Sequence, residues 1–359
     1  MNITFFIGGL SGGGAERVIC DLANYMASRG HEIEILTMSD DKPSYALCDK
    51  VQRVSLLRSN ERKNFIYNSI LRFVRFLKYI TKNRFDIYVV MLPITTIMLL
   101  GMRKLIKSKV IAAERNNPAS YTARIQMCLK EVACNADGWV FQTEEACNWY
   151  GKSIENSKSI IIPNAINSEF IKPAYIGHRN KVIVTVGRLT EQKNHVLLVK
   201  AFAKICSKNP DYNLIIYGEG SLKKRIEETA TRLNINDWLE LSGYSTNISE
   251  KIKDASLFVL SSDFEGMPNA LMEAMALGLP CISTDCDGGG ARFLIENEKN
   301  GLLVPKGDVD ALADAMKRML SDREFAEKCA QEAHKICERL APEKIYGEWE
   351  NFIKEIVNK

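Results

Sequence analysis

Apolar runs of five to seven residues recur along the whole chain. Between most of them apolar residues return every three or four positions instead. In the first half the compact runs are ITFFI (3–7), EIEILTM (32–38), QRVSLL (52–57), IYVVML (87–92), KVIAA (109–113), GWVFQ (138–142) and SIIIP (159–163). The pattern weakens around 171–181, where Pro173 and Gly177 fall, and this stretch reads as a linker. It then restarts with VIVTVG (182–187), NLIIYG (213–218), LELSG (239–243), SLFVLSS (256–262), PCISTD (280–285) and GLLVP (301–305). Strands alternating with helices of this length predict βαβ units and parallel sheets. The expected fold is α/β, with two Rossmann-like, doubly wound domains at 1–173 and 174–342. Pro342 opens a last helix over 343–359. In such folds ligands bind at the carboxyl ends of the strands.

Composition adds constraints. A chain of 359 residues, 46% hydrophobic and 26% charged, is long enough for two cores. Its ten cysteines form no CxxC pair and no zinc spacing, which suits a reducing cytosol. MNITFFIGGL lacks a basic leader and reads as a buried strand, not a signal peptide. The apolar stretch 87–102 is broken by Pro93 and is shorter than the ~20 residues of a spanning helix. It reads as a strand followed by a buried helix. Charge is uneven. Residues 1–163 hold 22 Lys and Arg against 15 Asp and Glu, or +7, so a chain of +4 leaves −3 for the rest. Residues 58–84 alone carry eight basic residues against one Glu. There the helix 64–82 sets Phe65, Ile66, Ile70, Phe73, Val74, Leu77 and Ile80 beside Arg72, Arg75, Lys78 and Lys82. A basic amphipathic helix is a candidate for lying on an anionic membrane. The alternative is a core-packed helix with a solvated basic face. Nucleic acid is disfavoured, because no binding module is present and net charge is modest.

Several loops after strands carry chemistry. GGLSGGGAERV (8–18) opens the first helix, but its glycines fit neither G-x-G-x-x-G nor a phosphate loop. Gly13 and Gly14 would still let an anion approach backbone N–H groups at a helix N-terminus; the alternative is a tight turn. In GRLTEQKNH (187–195), Arg188 and Lys193 could hold a diphosphate, Arg by a bidentate fork and Lys as a point charge. The alternative is a solvated loop. IIYGEGSLKKRI and LSGYSTN place glycines where strands give way to helices, and could hold a nucleobase through backbone groups. FEGMPNALMEAMALG (264–278) follows a central strand. Pro268 suits a helix's first turn, so Met267, Pro268, Asn269 and Ala270 form the start, with Glu265 just ahead and Glu273 in the second turn. Helical side chains lean back toward the N-terminus, so both carboxylates could address one cleft, Glu265 near a transferred sugar and Glu273 near a ribose. Asp285 and Asp287 resemble a D-x-D metal signature, which a glycine-rich loop explains as well. In AERNNPAS, Glu114 and Arg115 would point into the inter-domain cleft and bind acceptor or phosphate, or form an inter-strand ion pair. His31 reads as a cap of the turn before the second strand, not as a catalyst.

In combination the E-x7-E of FEGMPNALMEAMA, GRLTEQKN, GGGAERV and IPNAIN (162–167) resemble glycosyltransferase family 4, across essentially the whole chain. The closest in character are bacterial enzymes that extend lipid-linked glycans, including the GalNAc transferases of N-glycan assembly and those of capsule or O-antigen synthesis. The resemblance implies a retaining transferase of the GT-B fold, two Rossmann-like domains facing across a cleft. An acceptor-binding first domain would receive the final helix, and the second would bind the nucleotide sugar. It implies Arg188 and Lys193 at the donor diphosphate, Glu265 at the sugar and Glu273 at the ribose. Gly266, Met267, Pro268, Asn269 and Ala270 would line the sugar and phosphate site. The Gly12–Gly14 loop would approach the phosphates, and Glu219 and Tyr244 would lie in base-binding loops. No metal and no cofactor are implied. Implied partners are a UDP-sugar, a polyprenyl-pyrophosphate-linked glycan and the anionic inner face of the cell membrane, with the protein cytoplasmic and peripherally bound. One departure is Gly288-Gly289-Gly290, where many relatives have Gly-Gly-Pro. Competing readings are a nucleotide-sugar 2-epimerase, which needs acid/base side chains at the sugar, and a non-catalytic nucleotide- or membrane-binding partner. A nicotinamide oxidoreductase is disfavoured by the failed glycine spacing.

Overall fold

The protein is described here by a computed structural model covering residues 1–358. It forms two compact units. The first comprises Met1–Asn164 and the C-terminal segment from Glu343; the second is Ala165–Pro342.

The first unit holds a seven-stranded sheet in the order β3-β2-β1-β4-β5-β6-β7. Its strands are β1 (Asn2–Ile7), β2 (Glu32–Thr37), β3 (Val51–Ser55), β4 (Ile87–Met91), β5 (Lys109–Ala113), β6 (Gly138–Phe141) and β7 (Lys158–Ile161). The second holds a six-stranded sheet in the order β10-β9-β8-β11-β12-β13. These are β8 (Asn180–Val186), β9 (Asn213–Tyr217), β10 (Leu239–Gly243), β11 (Ala255–Leu260), β12 (Cys281–Asp285) and β13 (Leu302–Pro305). Every pairing is parallel. Helices cover both faces of a parallel sheet, so its central strands are apolar on both sides. IYVVM of β4 is buried at all five positions, whereas the edge strand β3 exposes Gln52 and Arg53. In each sheet the strand order reverses at its first strand, between β1 and β4 and between β8 and β11. A crevice opens at the carboxyl end of such a reversal.

The last helix, Pro342–Val357, belongs to the first unit. It buries Ile345, Tyr346, Trp349, Phe352, Ile353 and Ile356 on one face. That face lies flush against β6. A methyl group on Gly138 would come 3.0 Å from Ile356 Cδ1 and 3.1 Å from Phe352 Cζ. His31 does more than serve its turn, since its Nε2 lies 3.2 Å from Glu350 on this helix.

Two expectations change. The boundary falls at 164/165 instead of 173/174. Packing decides this. The Ile166 amide donates to the Leu340 carbonyl (3.1 Å), and Lys172 Nζ donates to Glu250 (2.5 Å), so residues 165–173 adhere to the second unit. The helix Phe65–Lys82 is neither wholly packed nor free. Phe76, Tyr79 and Ile80 are buried, with Phe76 stacked on Phe6 at 5.3 Å between centroids, while the N-terminal turns stand clear. Residues 87–102 form β4 and the helix Pro93–Gly101. Among the described residues no helix is long and apolar enough to cross a membrane.

Candidate active site

In the second unit the loops after β8 and β11 meet at the reversal point. Those strands pair directly although far apart in sequence, so GRLTEQKN and SSDFEGMP become neighbours. The two loops interlock. Asp263 N donates to the Gln192 carbonyl (2.8 Å), Ser261 Oγ to the Lys193 carbonyl (3.0 Å) and Gln192 Nε2 to the Phe264 carbonyl (3.0 Å). Asn194 takes a left-handed conformation and caps the helix His195–Ala203 by accepting from Leu197 N. Its Nδ2 donates to Asp263 Oδ1 (2.9 Å).

At the centre Lys193 Nζ sits 2.5 Å from Glu265 Oε1, and Ser262 Oγ donates to the same oxygen at 2.7 Å. Both side chains are largely buried. Two buried charges need each other, because taking either out of water alone is costly. Arg188, on the same loop as Lys193, contrasts with it. Its guanidinium is exposed and makes no hydrogen bond or ion pair among the described residues. The site therefore holds one cation already engaged and one open.

The helix of the FEGMPNALMEAMALG stretch runs Asn269–Ala276. Pro268 stands just before it in an extended conformation, and its carbonyl accepts from Leu271 N and Met272 N, both at 3.1 Å. The sequence places Pro268 one position too far in. Gly266, Met267 and Pro268 are buried, Asn269 and Ala270 half-buried. Glu273 is buried in the second turn. Behind the pair, His195 is 2% exposed, its Nδ1 has no partner among the described residues, and burial with the Lys193 charge lowers its pKa to about 4. Burial, then the Glu265 charge, pushes the Cys286 thiol up to about 12, leaving it inert.

The loops after β9 and β10 lie alongside. Leu189 N donates to the Glu219 carbonyl and Gly218 N to the Gly243 carbonyl, each at 2.8 Å. Gly218 has φ 144°, and a methyl group there would overlap the Gly187 carbonyl, so only glycine allows this approach. Glu219 is exposed and Tyr244 74% exposed, so both side chains are open to a ligand. The D-x-D carboxylates are occupied by cations of the chain: Asp285 by Arg292 (2.8 Å) and Asp287 by Lys306 (2.6 Å).

The first unit departs further from expectation. Gly13 precedes the helix Gly14–Ser28, and Glu16 folds back over it. A methyl group on Gly13 would lie 3.0 Å from Glu16 Cδ. A carboxylate of the chain thus lies beside this helix start, where the helix dipole favours it. Glu114 is engaged by the chain itself. It is buried and accepts from Tyr121 Oη (2.7 Å), Tyr150 Oη (2.8 Å) and the amides of Arg115 and Asn116, holding the loop after β5. Burial raises its pKa. Arg115 is also buried. Its Nη2 donates to Asn164, Nε and Nη1 lack partners among the described residues, and burial lowers its pKa to about 10. Of the membrane-contact candidates Arg72, Arg75 and Lys78 on the basic helix, two are hydrogen-bonded within the chain. Arg75 forks onto Glu61 (2.6 and 2.7 Å), and Arg72 Nε donates to the Met38 carbonyl (3.1 Å). Lys78 is exposed.

Sequence reasoning missed Gln192, Asn194, Ser262 and Asp263. Asn194 was readable as an N-cap before the apolar run HVLLV. The others act only through contacts that the sheet order creates.

Both halves of the chain resemble known proteins. Residues 12–170 match the family described as Glycosyltransferase Family 4, and residues 167–336 match Glycosyl transferases group 1. The Campylobacter jejuni GalNAc-α-(1→4)-GalNAc-α-(1→3)-diNAcBac-PP-undecaprenol α-1,4-N-acetyl-D-galactosaminyltransferase is 28% identical, over 100% of this chain and 99% of its own. Sucrose-phosphate synthase from Thermosynechococcus elongatus superposes with a TM-score of 0.84 at 19% identity, covering 99% of this chain and 98% of that one. The pneumococcal O-GlcNAc transferase GtfA, solved with UDP and GlcNAc, superposes with a TM-score of 0.83 at 14% identity, covering 100% and 99%. The chain is thus a glycosyltransferase enzyme of the GT-B fold, whose first half matches the family 4 model and whose second half matches the group 1 model.

Proposed function

We propose that this enzyme moves a hexose or N-acetylhexosamine from a UDP-sugar to a polyprenyl-pyrophosphate-linked glycan, with retention at the anomeric carbon. The observation that carries the proposal is the pairing at the β8/β11 reversal: an open Arg188 beside a Lys193 already matched to Glu265. Arg188 meets the donor diphosphate, and Lys193 shares its charge between Glu265 and the phosphates. The bond from the anomeric carbon to the diphosphate oxygen breaks, and the leaving group carries away the electron pair. Fixed positive charge stabilises it, the kind of term that is usually largest in catalysis. The acceptor hydroxyl attacks from the same face and gives its proton to the departing phosphate. Glu265 orients the sugar and offsets charge on its ring. Because side chains supply the positive charge, the proposal includes turnover without a divalent metal.

Uridine is favoured by the UDP in the solved GtfA complex, and the lipid-linked acceptor by the printed name of the Campylobacter relative. The acceptor also motivates peripheral binding to an anionic membrane. The 2-epimerase reading fits less well, because His195 beside Lys193 is too buried to exchange protons with a sugar.

Glu265→Gln tests the proposal. Sugar transfer should fall about a hundredfold while UDP affinity stays within about threefold. Turnover at the wild-type rate would refute the assignment of Glu265.

A further inference from the structure

The turn Asp287–Gly290 follows β12 and has no part in the proposed chemistry, yet it touches the Glu265 loop from beneath. Glu265 N donates to the Asp287 carbonyl at 2.9 Å, and Asp287 N donates to the Asp263 carbonyl at 3.2 Å. Phe264 and Asp287 form an isolated parallel bridge. The ladder between β11 and β12 is thereby resumed beyond the ends of both strands. Gly288 (φ 100°) and Gly289 (φ 77°) then turn the chain through the left-handed region. The turn delivers Gly290 directly against the next peptide of the loop. A methyl group on Gly290 would overlap the Gly266 carbonyl oxygen, and would lie 2.9 Å from its carbon and 2.8 Å from Pro268 Cδ. Neither neighbour is a flexible side-chain end that can step aside.

We propose that Asp287–Gly290 is the positioning element of the donor site, and that Gly290 is a residue the reaction requires although it touches no substrate. The proposal rests on the transferase reading above. Two constraints act on Glu265. Ser262 and Lys193 set its carboxylate, and Asp287 sets its backbone. The Asp287 side chain is itself anchored, by Lys306 at 2.6 Å, but both groups are well exposed. Exposed pairs contribute little, so the backbone contacts dominate. A residue with a Cβ must push the Gly266 peptide outward. The shift passes to Glu265 on one side and to Met267 and Pro268 on the other, and misplacement by about 1 Å can cost on the order of a hundredfold in rate. Nucleoside binding through the β9 and β10 loops does not depend on this contact.

The test compares wild type, Gly290→Ala and, as a control, Gly101→Ala, whose added methyl meets open space. UDP release is measured with a polyprenyl-pyrophosphate-linked glycan as acceptor on UDP-GalNAc, UDP-GlcNAc, UDP-Gal and UDP-Glc, and the sugar that wild type transfers is used for all three proteins. Gly290→Ala should lower kcat by about tenfold or more, with UDP affinity within about threefold. Gly101→Ala should match wild type. A kcat within about twofold of wild type for Gly290→Ala overturns the proposal. So does equal loss of turnover and UDP binding, which marks general damage. Failure of wild type on every sugar refutes the transferase reading and this proposal with it, so the two failures are distinguishable. If Gly290→Ala does not fold, hydrogen exchange on wild type decides. The Glu265 amide should be as protected as sheet amides, and exchange at the rate of an open loop overturns the clasp.

Discussion

At the scale of single residues, His195 gives the sharpest expectation outside the chemistry. It is buried at the start of a helix, next to a lysine engaged in an ion pair. Burial and the Lys193 charge hold its pKa near 4, against an ordinary value of 6.5. The unfolded chain therefore binds the extra proton first. Stability from this group is fully present above the unfolded value and is lost as pH falls from 6.5 toward 4. Between pH 7 and pH 5 the loss should be about 2 kcal/mol. Denaturant unfolding at both pH values, for wild type and His195→Gln, checks this. The variant should lose the group's share of the pH dependence, and an unchanged slope would show that His195 is not buried as described. The same neutrality keeps a second positive charge away from Lys193, so the pairing with Glu265 is not contested at physiological pH.

At the scale of elements, all thirteen strands were readable from the apolar runs, within two residues at either end. Buried parallel strands read as continuous Val, Ile and Leu runs, and this signal is strong. The final helix was equally plain. The candidate site was legible in part. Arg188, Lys193, Glu265 and Glu273 stood out because their positions follow strands or open a helix. Two misreadings share one cause. Arg75 looked like a free surface cation, and Glu114 like a cleft carboxylate. Their partners Glu61 and Tyr150 are brought to them only by packing, which no local pattern records.

The helix Phe65–Lys82 shows the consequence. With Arg72 and Arg75 hydrogen-bonded within the chain, the first turns offer mainly apolar side chains, Phe65 82% exposed, Ile66 70% and Ile70 59%, while Lys78 stays exposed further along. Membrane affinity should then follow buried apolar area more than these two charges. Ile70→Glu combined with Phe73→Glu should weaken sedimentation with phosphatidylglycerol-containing vesicles by about tenfold, and leave stability within about 0.5 kcal/mol because both sites face solvent. Undiminished binding would remove this helix from the membrane reading.

At the scale of the whole molecule, the two halves differ in charge while repeating one architecture. The first 163 residues carry +7 and the remainder −3. A basic half suits a diphosphate-bearing lipid and an anionic surface. The other half is net negative, yet its Arg188 loop sets two cations, Arg188 and Lys193, where the proposed donor diphosphate would be held. Each unit has its own strand-order reversal. Only in the second do the loops at that point bring together an open guanidinium, a paired lysine and a helix start. The donor site proposed above therefore falls in that unit. The most direct test is thermal unfolding of the protein with UDP, GDP, ADP or NAD at equal concentration and without metal, for wild type and Arg188→Ala. UDP should raise the wild-type midpoint, with about 2.7 kcal/mol of stabilisation at a hundred times the dissociation constant, and Arg188→Ala should lose most of that gain. A midpoint raised by NAD alone, or a UDP effect that survives unchanged in Arg188→Ala, would contradict the account.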